Sequence, residues 1–190
     1  MSIKAIIFDF YGVICSEIGS PWYKQRVSAP VSAELKVHYD RPSNLGDISE
    51  DNFFDGIGKA VNLSRDTVRK EWTDAVVINQ ELVLLIRDLK KTHKTGLCSN
   101  TQPKLFRQIL KENDLEGLFD AIVSSSEVGM VKPHPEIFKY TLEQLHVLAS
   151  EAVFVDDRTE NVEAATSLGI RSILYKDVAT LQKTLNDLAV

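Results

Sequence analysis

The chain has 190 residues, with 22 Lys and Arg against 27 Asp and Glu, a formal net charge of −5 and a pI near 5.4. That balance excludes a general nucleic-acid binder, which carries a basic surface to displace counterions from phosphates. At 44% hydrophobic residues the composition is that of an ordinary globular chain, and its longest apolar run, Leu82 to Ile86, is too short to cross a bilayer.

Ile3 to Asp9 (IKAIIFD) reads as a short strand apolar on both faces, the pattern of a parallel strand covered by helices. Met1 to Lys4 lack the charged region, apolar stretch and cleavage site of a secretory leader, and Cys15 and Cys98 are far apart without C-x-x-C spacing. These features predict a cytoplasmic chain, a monomer or homodimer, with no membrane partner. Residues 17–77 show no buried strand. They predict helices around Trp22 to Tyr39, Ser49 to Val61 and Ser64 to Val76, with a loop at Pro42, Ser43, Asn44 and Gly46. Their aromatic residues, among them Trp22, Phe53, Phe54 and Trp72, suit a small core of their own.

From residue 78 the chain alternates. Helices are expected at Gln80 to Thr92 after the cap Asn79, from Pro103 to Asn113 and from Pro135 to Leu145. A further helix is expected from a Thr159 cap to Gly169, and a last one after Asp177. Between them lie strands at Lys94 to Ser99, Ala121 to Ser124, Ala152 to Asp157 and Arg171 to Tyr175. This order predicts an α/β fold, a Rossmann-like parallel sheet of about five strands. Residues 1–16 and 78–190 form its core, and 17–77 are an inserted helical cap.

Ligands of open α/β sheets bind at the carboxyl ends of the strands. Those ends deliver Asp9 with Tyr11 and Gly12, Ser99 with Asn100, Lys132 before Pro133, and the pair Asp156-Asp157. Carboxylates gathered at one point repel unless a cation neutralises them, and an oxygen-rich set of this kind suits Mg²⁺. Lys132 adds positive charge, while Ser99 and the Asn100 N–H add neutral donors. A carboxylate facing a phosphate ester can act as a nucleophile, giving an aspartyl-phosphate. Each residue alone has a plainer reading: Asp9 as a turn cap, Ser99-Asn100 as a helix cap, Lys132 as a solvated charge, Tyr11 as packing.

In order, D-F-Y-G-V (Asp9–Val13), S-N-T (Ser99–Thr101), G-M-V-K-P-H-P-E-I-F (Gly129–Phe138) and F-V-D-D-R-T-E-N (Phe154–Asn161) resemble the four motifs of the haloacid dehalogenase-like (HAD) hydrolase superfamily. The insertion resembles the small helical cap of its first subclass. The resemblance implies an HAD-like core and a Mg²⁺-dependent phosphatase of a small phosphorylated metabolite. It assigns Asp9 as nucleophile and metal ligand, Ser99 and Asn100 to phosphate binding, and Lys132 to phosphate binding and charge neutralisation. Asp157 and the Tyr11 carbonyl join the metal, and Asp156 supports Lys132 or a metal-bound water. One departure stands out. Phosphatases of the superfamily usually carry a second Asp two residues after the nucleophile as general acid, and this chain has Tyr11 there. A tyrosine at that position resembles the true dehalogenases, which usually lack the acidic pair that this chain keeps. The alternatives are therefore a dehalogenase working through an aspartyl ester, or a catalytically weakened metabolite-binding or regulatory protein.

Overall fold

The computed structural model describes residues 2–188, so residue 1 and residues 189–190, at the outer limits of the expected core, lie outside them. Five strands, β1 (Ala5–Phe8), β2 (Lys94–Ser99), β3 (Ala121–Ser124), β4 (Ala152–Asp156) and β5 (Arg171–Leu174), form one sheet in the order β3-β2-β1-β4-β5. All four pairings are parallel, with Phe8 level with Leu97 on one side and Val155 on the other. Side chains alternate between two buried faces. Ile6, Phe8, Leu97 and Val155 enter one apolar cluster, and Ile7, Cys98, Val123 and Phe154 enter the other. The central strands thus read as continuous apolar runs, because both faces are covered.

Helices α1 (Gly19–Arg26), α2 (Ala29–Leu35), α3 (Arg41–Leu45), α4 (Glu50–Ala60) and α5 (Arg65–Asp74) follow β1 before the sheet resumes. Then come α6 (Gln80–Leu89), α7 (Pro103–Glu112), α8 (Ser125–Val128), α9 (Pro135–Leu145), α10 (Thr159–Ser167) and α11 (Val178–Asp187). Among the described residues no helix is long and apolar enough to cross a membrane. The expected caps hold at Asn79 and Asp177, and Ser49 and Ser64 also cap their helices; all four side chains accept from the backbone N–H three residues on. Three short features had no distinct signal in sequence, the 3-10 turns at Glu116–Leu118 and Ala149–Glu151 and the one-turn α8.

Three expectations are corrected. The single helix over Trp22 to Tyr39 is broken at Val27-Ser28, where the backbone turns extended; Pro30 has no N–H to carry the helix on and stands instead in the first turn of the next one. The end of the expected helix is a π-helical turn at Lys36–Asp40, and the expected loop at Pro42 to Asn44 is helical, closed by Gly46 at φ 81°. Pro42 comes just after the π turn, within a helical run in which Leu35, Lys36, Asp40 and Arg41 all keep right-handed helical dihedrals. Thr159 is the first residue of α10 and not its cap; the cap position is Arg158, whose N–H donates to Asp156 Oδ1 at 2.9 Å.

An aromatic cluster centres the helical segment. Trp72 meets Trp22, Phe53 and Phe54 edge-on with ring centroids 6.2, 5.3 and 5.5 Å away. The segment is also tied to the sheet domain. Buried Glu50 accepts the Leu105 N–H at 2.9 Å, and Ser125 Oγ donates to the Asn44 carbonyl at 2.6 Å.

Candidate active site

Running β1-β2-β3 in one direction and then β4-β5 in the other puts the switch point of the sheet between β1 and β4. Open α/β sheets bind ligands at such a point, beyond the strand ends. Asp9 directly follows β1, with its N–H on the Val155 carbonyl at 2.9 Å. Asp156 ends β4, and Asp157 follows it. The three carboxylates offer oxygens all within 4.8 Å of one another.

Lys132 reaches this crevice from the loop after α8. Its Nζ lies 2.8 Å from Asp9 Oδ1 and 2.7 Å from Asp156 Oδ2, at 4% exposure. Burial alone would lower the ammonium's pKa, but Asp9 and Asp156 outweigh it and hold the group charged. The loop carrying Lys132 is fixed by Asn100. The Asn100 amide donates to the Lys132 carbonyl at 2.9 Å and accepts its N–H at 2.8 Å. The Asn100 side chain is therefore spent on positioning Lys132.

Asp9 Oδ1 takes both close contacts, the Phe10 N–H at 2.6 Å and Lys132, which leaves Oδ2 as its other oxygen. Burial raises the Asp9 pKa to about 7; Lys132 opposes this and Asp156 adds to it. Asp156 is held on every side, since Asn161 Nδ2 lies 3.0 and 3.1 Å from its two oxygens. Sequence reasoning assigned Asn161 no role. The signal was its place five residues after Asp156, which puts it in the first turn of α10.

Asp157 differs from Asp156. Its Oδ1 is buried with no hydrogen-bond partner, and burial and Asp156 raise its pKa to about 6. Gly12 makes room for it: a Cβ on Gly12 would stand 2.3 Å from Asp157 Oδ2, and the backbone there has φ 84°. Ser99, fully buried at the end of β2, also carries an Oγ without a partner. An unpaired buried oxygen costs about 1–3 kcal/mol, so two of them beside three carboxylates suit an incoming ligand. Fully ionised, Asp9, Asp156 and Asp157 would carry three negative charges against one on Lys132, and a dication would balance the remainder.

Tyr11 lines the same cavity, with its ring edge-on to Phe10 at 5.0 Å. Burial pushes its hydroxyl well above the ordinary tyrosine range, with Thr101 acting in the opposite direction. The cavity holds about 590 Å³. Asp9, Lys132, Asp157 and His134 approach it from the strand ends, and Trp72 and Arg41 from the helical segment. Arg158 on its rim is paired with Glu160, as an exposed charge should be. Cys15 and Cys98 are both buried free thiols.

This is the ligand crevice of a doubly wound α/β protein, with an acidic centre clamped by one buried lysine. The chain belongs to the haloacid dehalogenase-like hydrolase family, whose pattern matches residues 39–175. Over 98% of its length it is 26% identical to a drimenol cyclase from Aspergillus calidoustus, spanning 36% of that protein. It is 28% identical over 93% of its length to a sesquiterpene phosphatase from Aspergillus oryzae, covering 91% of it. Its fold is similar to that of an HAD family enzyme from Bacteroides thetaiotaomicron in complex with magnesium and inorganic phosphate. There the TM-score is 0.78 at 24% identity, over 95% of this chain and 99% of that one.

Proposed function

We propose that the chain is a Mg²⁺-dependent phosphatase of small phosphorylated metabolites, working through an aspartyl-phosphate on Asp9. One observation carries this reading: buried Lys132 joins Asp9 to Asp156 while Ser99 Oγ and Asp157 Oδ1 lack partners. In this reading Asp9, Asp157 and the Tyr11 carbonyl hold the metal, and residues 17–77 cap the core of residues 1–16 and 78–190. When bound, Mg²⁺ neutralises the carboxylates, favours the ionised form of Asp9 and supplies charge to the transferring phosphoryl group.

With Oδ1 held by Lys132 and Phe10, Asp9 Oδ2 attacks phosphorus. The bond from phosphorus to the ester oxygen breaks, and that oxygen leaves with the electron pair. Lys132, Ser99 and the Asn100 N–H answer the negative charge on the phosphoryl oxygens. Water then attacks phosphorus, releases inorganic phosphate and restores the Asp9 carboxylate. The leaving oxygen of an alkyl ester needs a proton, and a phenol held as tightly as Tyr11 is a poor donor. An aryl ester hardly needs one, so the site as built favours activated leaving groups.

The test is hydrolysis of p-nitrophenyl phosphate with and without Mg²⁺, alongside chloride release from 2-chloropropionate. Mg²⁺-dependent phosphate release, with the phosphoryl group trapped on Asp9 by mass spectrometry, is expected. Metal-independent chloride release without phosphate release would replace this reading by the dehalogenase one, and a phosphoryl group trapped elsewhere would remove Asp9 as nucleophile.

A further inference from the structure

Three groups lining the cavity, Lys36, Asp40 and Arg41, come from the π-helical turn Lys36–Asp40 and the residue after it. Such turns are rare and concentrate at functional sites. This one is held from behind. Tyr23 Oη donates to Asp40 Oδ1 at 2.5 Å, and the Tyr39 ring fills the space over Gly56, where a Cβ would meet it at 2.0 Å.

Neither cation of this wall is in an ion pair among the described residues, although Lys36 lies near enough to Asp40 for their charges to act on each other. Lys36 Nζ meets a hydroxyl, Ser20 Oγ at 2.9 Å, and no carboxylate within ion-pair distance among the described residues. Arg41 is exposed and its side chain, among the described residues, makes neither a hydrogen bond nor an ion pair. The acids nearby are engaged: Asp40 by Tyr23, and Glu17 through Oε1 by the Ser20 N–H at 3.1 Å. Elsewhere in the helical segment the arginines Arg26, Arg65 and Arg69 all face carboxylates. Two cations outside any ion pair among the described residues, with Glu17 and Asp40 on the same lining, therefore look onto a cavity whose floor already provides for one phosphate.

We propose that this wall selects phosphate monoesters carrying a second anionic group, a carboxylate or a further phosphate, on the part that leaves. The floor takes the reacting phosphate, and Lys36 and Arg41 take the other anion, with Arg41 suited to a bidentate contact. The inference rests on the phosphatase reading and extends it to substrate class.

The experiment compares kcat/KM for glycerol phosphate, phosphoglycerate and propanediol bisphosphate in the wild type, Lys36→Ala, Arg41→Ala and Arg41→Lys, with Mg²⁺ present. The wild type should prefer the two substrates with a second anion. Arg41→Ala and Lys36→Ala should each lower that preference about tenfold, mainly through KM, in keeping with the loss of one charged hydrogen bond. Arg41→Lys should restore part of it. Calorimetric binding of the same three esters to Asp9→Asn reads the preference without turnover. Equal binding and equal kcat/KM for all three, or variants that lower all three alike, would overturn the inference while leaving the phosphatase reading intact. Preferential binding with no hydrolysis of these esters or of p-nitrophenyl phosphate by the wild type would instead support the wall and overturn the phosphatase reading.

Discussion

At the sheet end of the cavity Lys132 is 4% exposed and meets two carboxylates within 2.8 Å; on the helical wall Arg41 is exposed and meets none. Asn100 and Asn161 further tie Lys132 and Asp156. The floor is thus a buried, interlocked network in which moving one group unpairs another, and it suits chemistry that needs fixed geometry. The wall rests on an aromatic cluster and on latches such as Glu50 to Leu105, and its polar ends stay open. It suits recognition, which can differ between proteins without disturbing the floor.

The largest effect that would separate the two regions is on turnover. Asp9→Asn should lower kcat on p-nitrophenyl phosphate by about 10⁴-fold or more, as loss of a nucleophile does. Asn keeps an oxygen for the Phe10 N–H and Lys132 keeps Asp156, so Tm should change less than in Lys132→Met. A folded variant with wild-type kcat would break the assignment.

Lys132→Met tests the network itself. Removing the ammonium leaves Asp9 and Asp156 facing each other without compensation, a loss of about 3–5 kcal/mol when a buried pair is broken. Urea unfolding at neutral pH measures it. A loss below 1 kcal/mol, within the range of an exposed pair, would show that the floor is not interlocked.

On the wall side, Gly56→Ala carries a sign that isolated-helix behaviour gets wrong. In a helix interior Ala is ordinarily better than Gly by about 0.5–1 kcal/mol. Here the new Cβ would collide with the Tyr39 ring, so the variant should lose about 1–3 kcal/mol, the range of overpacking. A gain in the urea midpoint would mean the π turn is free to shift.

A smaller effect should appear as a pH dependence. Burial pushes the Asp40 carboxyl up to about 6, with Tyr23 and Lys36 acting the other way and Glu17 adding to the rise. A carboxyl with a raised folded pKa favours folding when protonated, so its contribution is fullest below about 3.8 and is lost as pH rises through about 6. Asp40→Asn cannot ionise and still accepts from Tyr23. Its Tm relative to the wild type should therefore climb between pH 4 and pH 7. A constant difference across that range would show that Asp40 is not strained.

Much of the floor was legible in the residues. Lys94–Ser99 and Ala121–Ser124 are strands with the expected bounds, and Pro135–Leu145 is the expected helix, because apolar runs, prolines and caps act locally. The wall was less legible. The sequence from Trp22 to Asn44 reads as one helix and a loop, yet it folds as two helices, a π turn and a third helix. The residues setting that turn, Tyr23 and Gly56, lie 17 positions before Asp40 and on another helix, outside any local pattern.

By itself the sequence determined the alternation of strands and helices after residue 78, the acidic and basic residues at the strand ends, and the absence of an acid at Tyr11. These follow from periodicity and residue chemistry along one stretch of chain. Tertiary structure alone decided which oxygens stay unpaired. Asp156 is bound by Lys132, Asn161 and the Arg158 N–H, whereas Asp157 Oδ1 and Ser99 Oγ have no partner. Periodicity and residue chemistry treat adjacent aspartates alike, and only the resemblance to the HAD motifs assigned them different roles. They differ here because successive side chains at a strand end point in different directions, one into the lysine network and the other across Gly12 toward the cavity.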